Sequence, residues 1–358
     1  MRQIQAIFTP RALADNPYQS QLVEHLEKVG VQVELAGYST FFLGAVLSQW
    51  KPDIVHLHWL NPLFLGSNRA KSLLKTSLFL IEIVVLKLLG IKIVWTVHNL
   101  KNHENLHLDL DRLCSSTVAK FADVIITHCE AARQEVITMF SIKNKDKVFS
   151  IPHGNYLNSY ENKIARSEAR QVLGVKDSKV VFLFLGLIRP YKGVIDLIDT
   201  FKQLPNDEAQ LLIVGKVWHD DPEVTELLNQ KISEDGRIKL IPGFVPNEKI
   251  QLYMNACDVA VFPYRDVLTS GAVLLAMSFG RACVAPCRGC IGEVLDRDGA
   301  FLYELDEKEG LLQAMRSAVQ DQSNLLNKGG HNRQLAEQYS WERVAEMTLR
   351  AYKDSLSK

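Results

Sequence analysis

Short runs of Val, Ile and Leu alternate along this chain with longer stretches of helical periodicity, and that alternation restricts the fold more than any single motif. In the first half the apolar runs fall at residues 4–9, 32–36, 54–57, 92–96, 124–127 and 147–151. Several are almost unbroken, as strands covered on both faces must be; strands with one wet face would alternate. Between them lie helical stretches such as residues 19–29, where Leu22, Val23, Leu26 and Val29 share one face. Strand and helix in regular succession predict an α/β architecture with right-handed crossovers.

The pattern restarts after a polar stretch. Residues 180–185 form a strongly apolar strand, followed by 211–214, 238–240, 259–262 and 282–285. Around residues 159–177, Lys163, Arg166, Glu168 and Arg170 mark a surface connection. Two Rossmann-like domains are therefore expected, residues 1–160 and 161–335, with a cleft between them. A length of 358 residues suits two domains. Lys and Arg number 41, as do Asp and Glu, which argues against a generic, basic nucleic-acid binder. Six cysteines are too few for a disulfide scaffold, and the first residues hold no signal-peptide run. The cytoplasm is the expected compartment.

Residues 70–90 are apolar enough to suggest a membrane, but Lys71, Lys75, Glu82 and Lys87 interrupt them. A spanning helix needs about 20 mostly uncharged residues. Two readings stay open: a helix buried on the first sheet, or an interfacial helix lying on a bilayer. In the second, Leu73, Leu74, Leu78, Phe79, Ile81, Val85 and Leu88 would form the apolar face.

Two loops carry the chemistry. After the strand at 180–185 comes Gly186-Leu187-Ile188-Arg189-Pro190-Tyr191-Lys192-Gly193. Ligands of open α/β sheets sit beyond the carboxyl ends of strands. A guanidinium and an ammonium three residues apart suit a diphosphate there, the first bidentate and the second a point charge. After the strand at 259–262, Thr269, Ser270 and Gly271 read as a helix start, whose free N–H groups and dipole attract anions. An ordinary Ser/Thr cap is the plainer account of that second loop. Histidines recur just past strand ends: His58, His98, His128 and His153. Each can serve in acid–base chemistry or hydrogen bonding, or can be structural. Cys283, Cys287 and Cys290 lack an evident fourth ligand, so no metal is expected. Asp220 and Asp221 precede Pro222 and read as a helix start.

These pieces resemble the family 4 group of GT-B glycosyltransferases. The resemblance runs through Gly186–193, then Pro242-Gly243-Phe244-Val245-Pro246, then Ala256-Cys257-Asp258 and its strand, then Gly280, then Gly289 to Glu293. It implies a metal-independent hexosyltransferase with no cofactor, whose donor is a nucleotide sugar. Arg189, Lys192 and Gly193, with Thr269, Ser270 and Gly271, would hold the donor diphosphate. Residues 336–358, from Tyr339-Ser340-Trp341 onward, resemble the closing helix that crosses back to the first domain. The family usually carries a Glu pair where this chain has Val267 and Leu275. Asp266 could replace the first in contacting the sugar, and Glu293 could reach the cleft. In the first half, His98 resembles a cleft-lining histidine, and His58, Asn99 and His153 end matching strands. Asn16-Pro17-Tyr18 stands where a Gly-rich loop is common and would shape access to the cleft.

The expected function is transfer of a sugar to a hydroxyl acceptor, carbohydrate or lipid-linked, with retention, and His98 and Asp266 as catalytic groups. Asp15, Asp109 and Asp111 are the carboxylates available as a base if the reaction inverts. A non-catalytic sugar-nucleotide binder and a sugar epimerase on the same architecture are the alternatives.

Overall fold

The computed structural model describes residues 3–11, 16–37, 42–49, 52–102, 104–176, 179–205 and 208–357. The chain divides into two compact units, residues 1–154 with 339–358, and residues 155–338.

Unit one runs β1 (Ile4–Thr9), α1 (Pro17–Lys28), β2 (Val31–Leu35), α2 (Phe42–Gln49), β3 (Ile54–Leu57), α3 (Asn61–Phe64), α4 (Arg69–Leu88), β4 (Lys92–Thr96), α5 (Leu108–Phe121), β5 (Val124–Thr127), α6 (Glu130–Met139) and β6 (Val148–Ser150). Unit two runs α7 (Arg166–Leu173), β7 (Val180–Leu185), α8 (Val194–Phe201), β8 (Ala209–Gly215), α9 (Pro222–Ser233), β9 (Ile238–Pro242), α10 (Asn247–Ala256), β10 (Val259–Val261), α11 (Gly271–Ser278), β11 (Ala282–Pro286), α12 (Ile291–Val294), β12 (Ala300–Tyr303), α13 (Gly310–Gln320) and α14 (Leu325–Glu337). The final helix, α15 (Trp341–Ser357), belongs to unit one.

Both sheets are parallel and six-stranded, ordered β2-β1-β3-β4-β5-β6 and β12-β11-β10-β7-β8-β9. Strands β3 and β5 are buried at every position, which is why their sequences do not alternate. The expected strands are present with ends shifted by a residue or two; β12 was not expected. It is a short edge strand, Ala300-Phe301-Leu302-Tyr303, half-buried in its middle.

Helix α1 begins where the sequence provides a cap and a Pro: Asn16 Oδ1 accepts from the Tyr18 N–H at 3.1 Å, and Pro17 fills the first turn. Its buried side, Tyr18, Leu22 and Leu26, joins Trp341, Val344 and Tyr352 of α15 in one core with Phe8. Gly154 lies so close to the Trp341 ring that any side chain there would run into it. The end of the unit-one sheet and the start of α15 are thus locked together.

Two expectations are corrected. Arg170, read as part of a surface connection, is 1% exposed, donating to Asp258 Oδ2 at 2.6 Å and to the Ala256 carbonyl at 3.0 Å. It pins α7 beneath the start of β10. Phe79 and Val85, read as part of an exposed apolar face, do not lie there: Phe79 is fully buried with Ser72, Thr76, Glu82, Ile83 and Leu86, and Val85 is half-buried. Leu73, Leu74, Ile81 and Leu88 do face outward. Among the described residues no helix is long and apolar enough to cross a membrane.

Replacing Trp341 by Ala empties a ring-sized space against Gly154 and Tyr18. The expected cost is about 3–5 kcal/mol, read as a lowered denaturation midpoint. An unchanged midpoint would mean that α15 adds nothing to unit one.

Candidate functional site

In unit two the strand order turns between β10 and β7. Ligands of open parallel sheets bind at such switch points, beyond the strand carboxyl ends. Both expected loops leave from there, one after β7 and one after β10. Gly186, with φ +141°, ends β7, and a Cβ on it would lie 3.1 Å from Lys192 Nζ. The ammonium is therefore folded over the strand end. Arg189 lies flat on the Trp218 ring, 3.6 Å from guanidinium carbon to centroid. Trp218 follows β8, the neighbour of β7, so its position holds the guanidinium beside the ammonium. Burial, then the charge of Arg189, pushes the Lys192 pKa down to about 8. Among the described residues no carboxylate pairs with Lys192. Two crowded, partly desolvated cations favour an anion.

Gly193 closes this turn with φ +65°, and a Cβ there would strike the Pro263 carbonyl, so only glycine lets the two loops meet. Beyond Pro263, Tyr264 is buried and its hydroxyl lies 3.4 Å from Ser270 Oγ. Ser270 caps α11, its Oγ accepting from the Val273 N–H at 3.4 Å. Thr269 and Gly271 are half-buried beside it. Asp266 and Glu293 are exposed. Next to Asp266, Arg265 is held by both carboxylate oxygens of Asp196 at 2.6 Å. Val267 and Leu275, where the family usually has glutamates, are each 8% exposed and packed into the unit.

In unit one the order turns between β1 and β3. His58 and Trp59 follow β3, His98 and Asn99 follow β4, His128 follows β5 and His153 follows β6. Tyr18 projects from the first turn of α1 among them, its ring centroid 4.8 Å from His153, 5.0 Å from His98, 5.6 Å from His128 and 5.9 Å from His58. Trp59 stacks on His98 at 4.2 Å and 14°. Deeper, His56 bridges Thr96 and the Tyr352 hydroxyl at 2.7 Å each. His98 Nε2 and His58 Nδ1 share a hydrogen bond of 3.2 Å, while His58 Nε2 is buried without a partner. A lone buried N–H costs more than a lone acceptor. The proton is therefore assigned to His58 Nδ1, donating to His98, which leaves His98 Nδ1 as a donor.

His58, Trp59, Asn61, His98, Asn99, Lys101 and Asp111 line a cavity of about 20 Å³, room for one water or hydroxyl. Asp111 is buried, its Oδ2 accepting from the Asn102 backbone at 2.7 Å and side chain at 2.9 Å. Asp109 is exposed and paired with Arg69. Asp15 lies outside the described residues. Asn16 serves as the α1 cap. Cys283 is in the β11 core and Cys287 is exposed. The residues that the sequence did not single out are His56, Trp218 and Tyr352, while Tyr18 stood out only as part of the Asn16-Pro17-Tyr18 stretch. An aromatic just past a strand end, as with Trp218 after β8, was the available signal.

Two family models match the chain, "Glycosyltransferase Family 4" over residues 32–155 and "Glycosyl transferases group 1" over residues 179–321. The GDP-mannose:glycolipid 4-beta-D-mannosyltransferase of Xanthomonas campestris pv. campestris is 28% identical over 347 residues, which is 96% of this chain and 89% of that protein. The alpha-maltose-1-phosphate synthase of Mycolicibacterium smegmatis is 25% identical over 66% of this chain and 64% of its own. Sucrose-phosphate synthase from Thermosynechococcus elongatus superposes with a TM-score of 0.79 at 17% identity, over 98% of both chains. An Anabaena protein crystallised with UDP and glucose superposes with a TM-score of 0.75 at 18% identity, over 97% of this chain and 99% of that one. These structures share the two-sheet fold.

Burial holds the unit-one histidines neutral: His56 and His153 are pushed down to about 3 and His128 to about 4, with His58 and His98 also well below the usual value. The unfolded chain binds these protons near pH 6.5, so it takes up more protons than the folded state below that pH. Stability should be full above pH 6.5 and fall as pH drops, by about 1.4 kcal/mol per pH unit for each histidine protonated. A denaturation series from pH 7 to 5 reads this slope, and a flat profile would contradict the buried cluster.

Proposed function

Because this chain is a glycosyltransferase of the GT-B fold, we propose that it moves a hexose from a nucleoside-diphosphate sugar to a hydroxyl of a glycolipid at the cytoplasmic face of a membrane. The observation that carries the donor half is the Arg189–Lys192 pair at the β7 switch point, beside the capped start of α11. As the bond to the sugar breaks, negative charge grows on the departing diphosphate. The guanidinium, the ammonium and the first N–H groups of α11 stabilise it where it forms. An anion beside Lys192 also restores its full charge. These cations supply the neutralisation, so turnover should survive a chelator.

The glycolipid half rests on the Xanthomonas relative, which by name acts on a glycolipid and aligns with 96% of this chain. Residues 70–90 are the part of unit one that we assign to the membrane. His98 is the unit-one group assigned to the reacting sugar, as a hydrogen-bond donor through Nδ1. Asn99 and His58 are assigned to the acceptor side, and Asp266 to the sugar.

Retention is the course the family resemblance implies; the departing phosphate then takes the acceptor proton. A second course, inversion, is favoured by two observations. Val267 and Leu275 replace the glutamate pair, and the relative forms a beta linkage by name. A β product from an α-linked donor is inversion, and it requires a base. The anomeric configuration of the product, read by NMR, decides between them.

Arg189→Ala and Lys192→Ala should each weaken nucleoside-diphosphate binding by roughly 10- to 150-fold, the loss of one charge-assisted contact. Both side chains follow a strand end, so melting should change little. Unchanged affinity in both variants would sink the donor site. His98→Ala should lower kcat with donor affinity held, and wild-type turnover would return His98 to a packing role.

A further inference from the structure

We infer that the outward face of α4, widened by the start of α5, is a docking surface for an anionic bilayer. This rests on the glycolipid reading above and names the surface through which that acceptor is reached.

Helix α4 is apolar on both sides, with Phe79, Ile83 and Leu86 fully buried. Its buried side includes Ser72, Thr76 and Glu82, while its outward side presents Leu73 at 47%, Leu74 at 64%, Ile81 at 58%, Val84 at 43% and Leu88 at 81% exposure. Leu74, Ile81 and Leu88 are spaced by seven residues and make one stripe, since a straight helix drifts only about 20° per heptad. The core-facing side already buries Phe79, Ile83 and Leu86, so folding of unit one does not explain five large exposed aliphatics. Scattered exposed leucines are ordinary; a continuous stripe marks an interaction surface.

The stripe continues onto α5. Arg69 opens α4 and Asp109 opens α5, and their side chains meet at 2.7 Å. At the other end, Lys87 of α4 meets Asp123, just past α5, at 2.8 Å. The two helices therefore run parallel. One turn on from the first pair stand Leu73 and Leu113, the latter 48% exposed. Leu106 and Leu108, exposed by 50% and 45%, lie at the entry to α5.

Charge selects the occupant. From Arg69 to Asp123 the chain carries eight Lys or Arg and five Asp or Glu, although the whole molecule has 41 of each. Of those five acids, Glu82 and Asp111 are buried, Asp109 is paired with Arg69, and Asp123 is paired with Lys87. Lys71, Lys101 and Arg112 are exposed around the leucines. An apolar stripe with a basic margin fits anionic headgroups over an acyl layer. The same margin opposes a second copy of this chain, because a two-fold pairing would set like charges against each other. Asn99, Lys101 and Asp111 wall the small cavity, and the exposed Leu106 and Leu108 lie close to Asp111 in the chain. Docking would therefore hold that cavity at headgroup level.

The test is co-sedimentation of the full chain with equimolar phosphatidylglycerol–phosphatidylcholine vesicles. Wild type should pellet with them at low salt, less at high salt, and little with phosphatidylcholine alone. The triple variant Leu74→Glu, Ile81→Glu, Leu88→Glu changes only exposed positions and should pellet roughly tenfold less, with melting and nucleoside-diphosphate affinity unchanged. Lys71→Glu with Arg112→Glu should flatten the salt dependence. No binding by wild type at any salt, or equal binding by the triple variant, overturns the docking surface. A wild-type dimer that the triple variant turns into a monomer, with vesicle binding unaltered, assigns the face to a second copy and also overturns it. Diphosphate binding is measured without vesicles. Its failure would strike the glycosyl-transfer reading, whereas its success with no vesicle binding strikes the docking surface alone.

Discussion

Each sheet reverses its strand order once, and the chemistry of the molecule depends on the crevices those reversals leave. The turn falls between β1 and β3 in unit one and between β7 and β10 in unit two. Crossovers that leave adjacent strands in opposite directions place their helices on opposite faces, so no helix covers the strand ends between them. A parallel sheet covered on both faces has to be apolar throughout. Polar chemistry is then confined to the few residues that follow each strand. Arg189, Lys192 and Ser270 stand in those places in unit two, and His58, His98, His128 and His153 in unit one.

The two crevices differ in what they do with charge. Unit two sets two cations side by side at a strand end, one stacked on Trp218 and the other partly desolvated, so an incoming anion gains two preformed partners. Unit one buries its titratable groups and keeps them neutral, each ring held by a hydroxyl, a carbonyl or another imidazole. Neutral imidazoles around a phenol direct hydrogen bonds to hydroxyl groups without attracting ions. This contrast is what the proposed transfer asks for, a diphosphate on the donor and hydroxyls on the acceptor.

The architecture was legible because parallel strands leave an uninterrupted apolar signature, and the Arg189–Lys192 pair was legible because two cations after a strand end are a local pattern. What escaped was long-range. His56 sits inside β3 and reads as a break in an apolar run; its partners are Thr96 and Tyr352, 40 and 296 residues away. Trp218 gains meaning only because β8 pairs with β7 and brings it over Arg189. β12 is four residues at a sheet edge and has too little periodicity to detect. Arg170 read as surface because arginines usually are; its burial depends on Asp258, 88 residues on.

Helix α4 shows why an apolar pattern alone cannot say which side faces in. Hydrophobic residues lie all round it, so periodicity gives no preferred face. The polar residues decide. Glu82 turns inward because Leu43, at the start of α2, offers a backbone N–H to its Oε1 at 2.8 Å, and a helix start favours an acid. Ser72 turns inward because its hydroxyl can donate to the Asn68 carbonyl and accept from the Gly66 N–H. Once those partners fix the rotation, the residues on the opposite side, such as Leu74 and Val84, must point out, whatever their polarity. That they include Leu, Ile and Val means that the chain has placed large aliphatic side chains where no other part of the described unit covers them. A helix with polar groups drawn inside and aliphatic groups left outside is suited to an apolar phase that the protein does not itself provide.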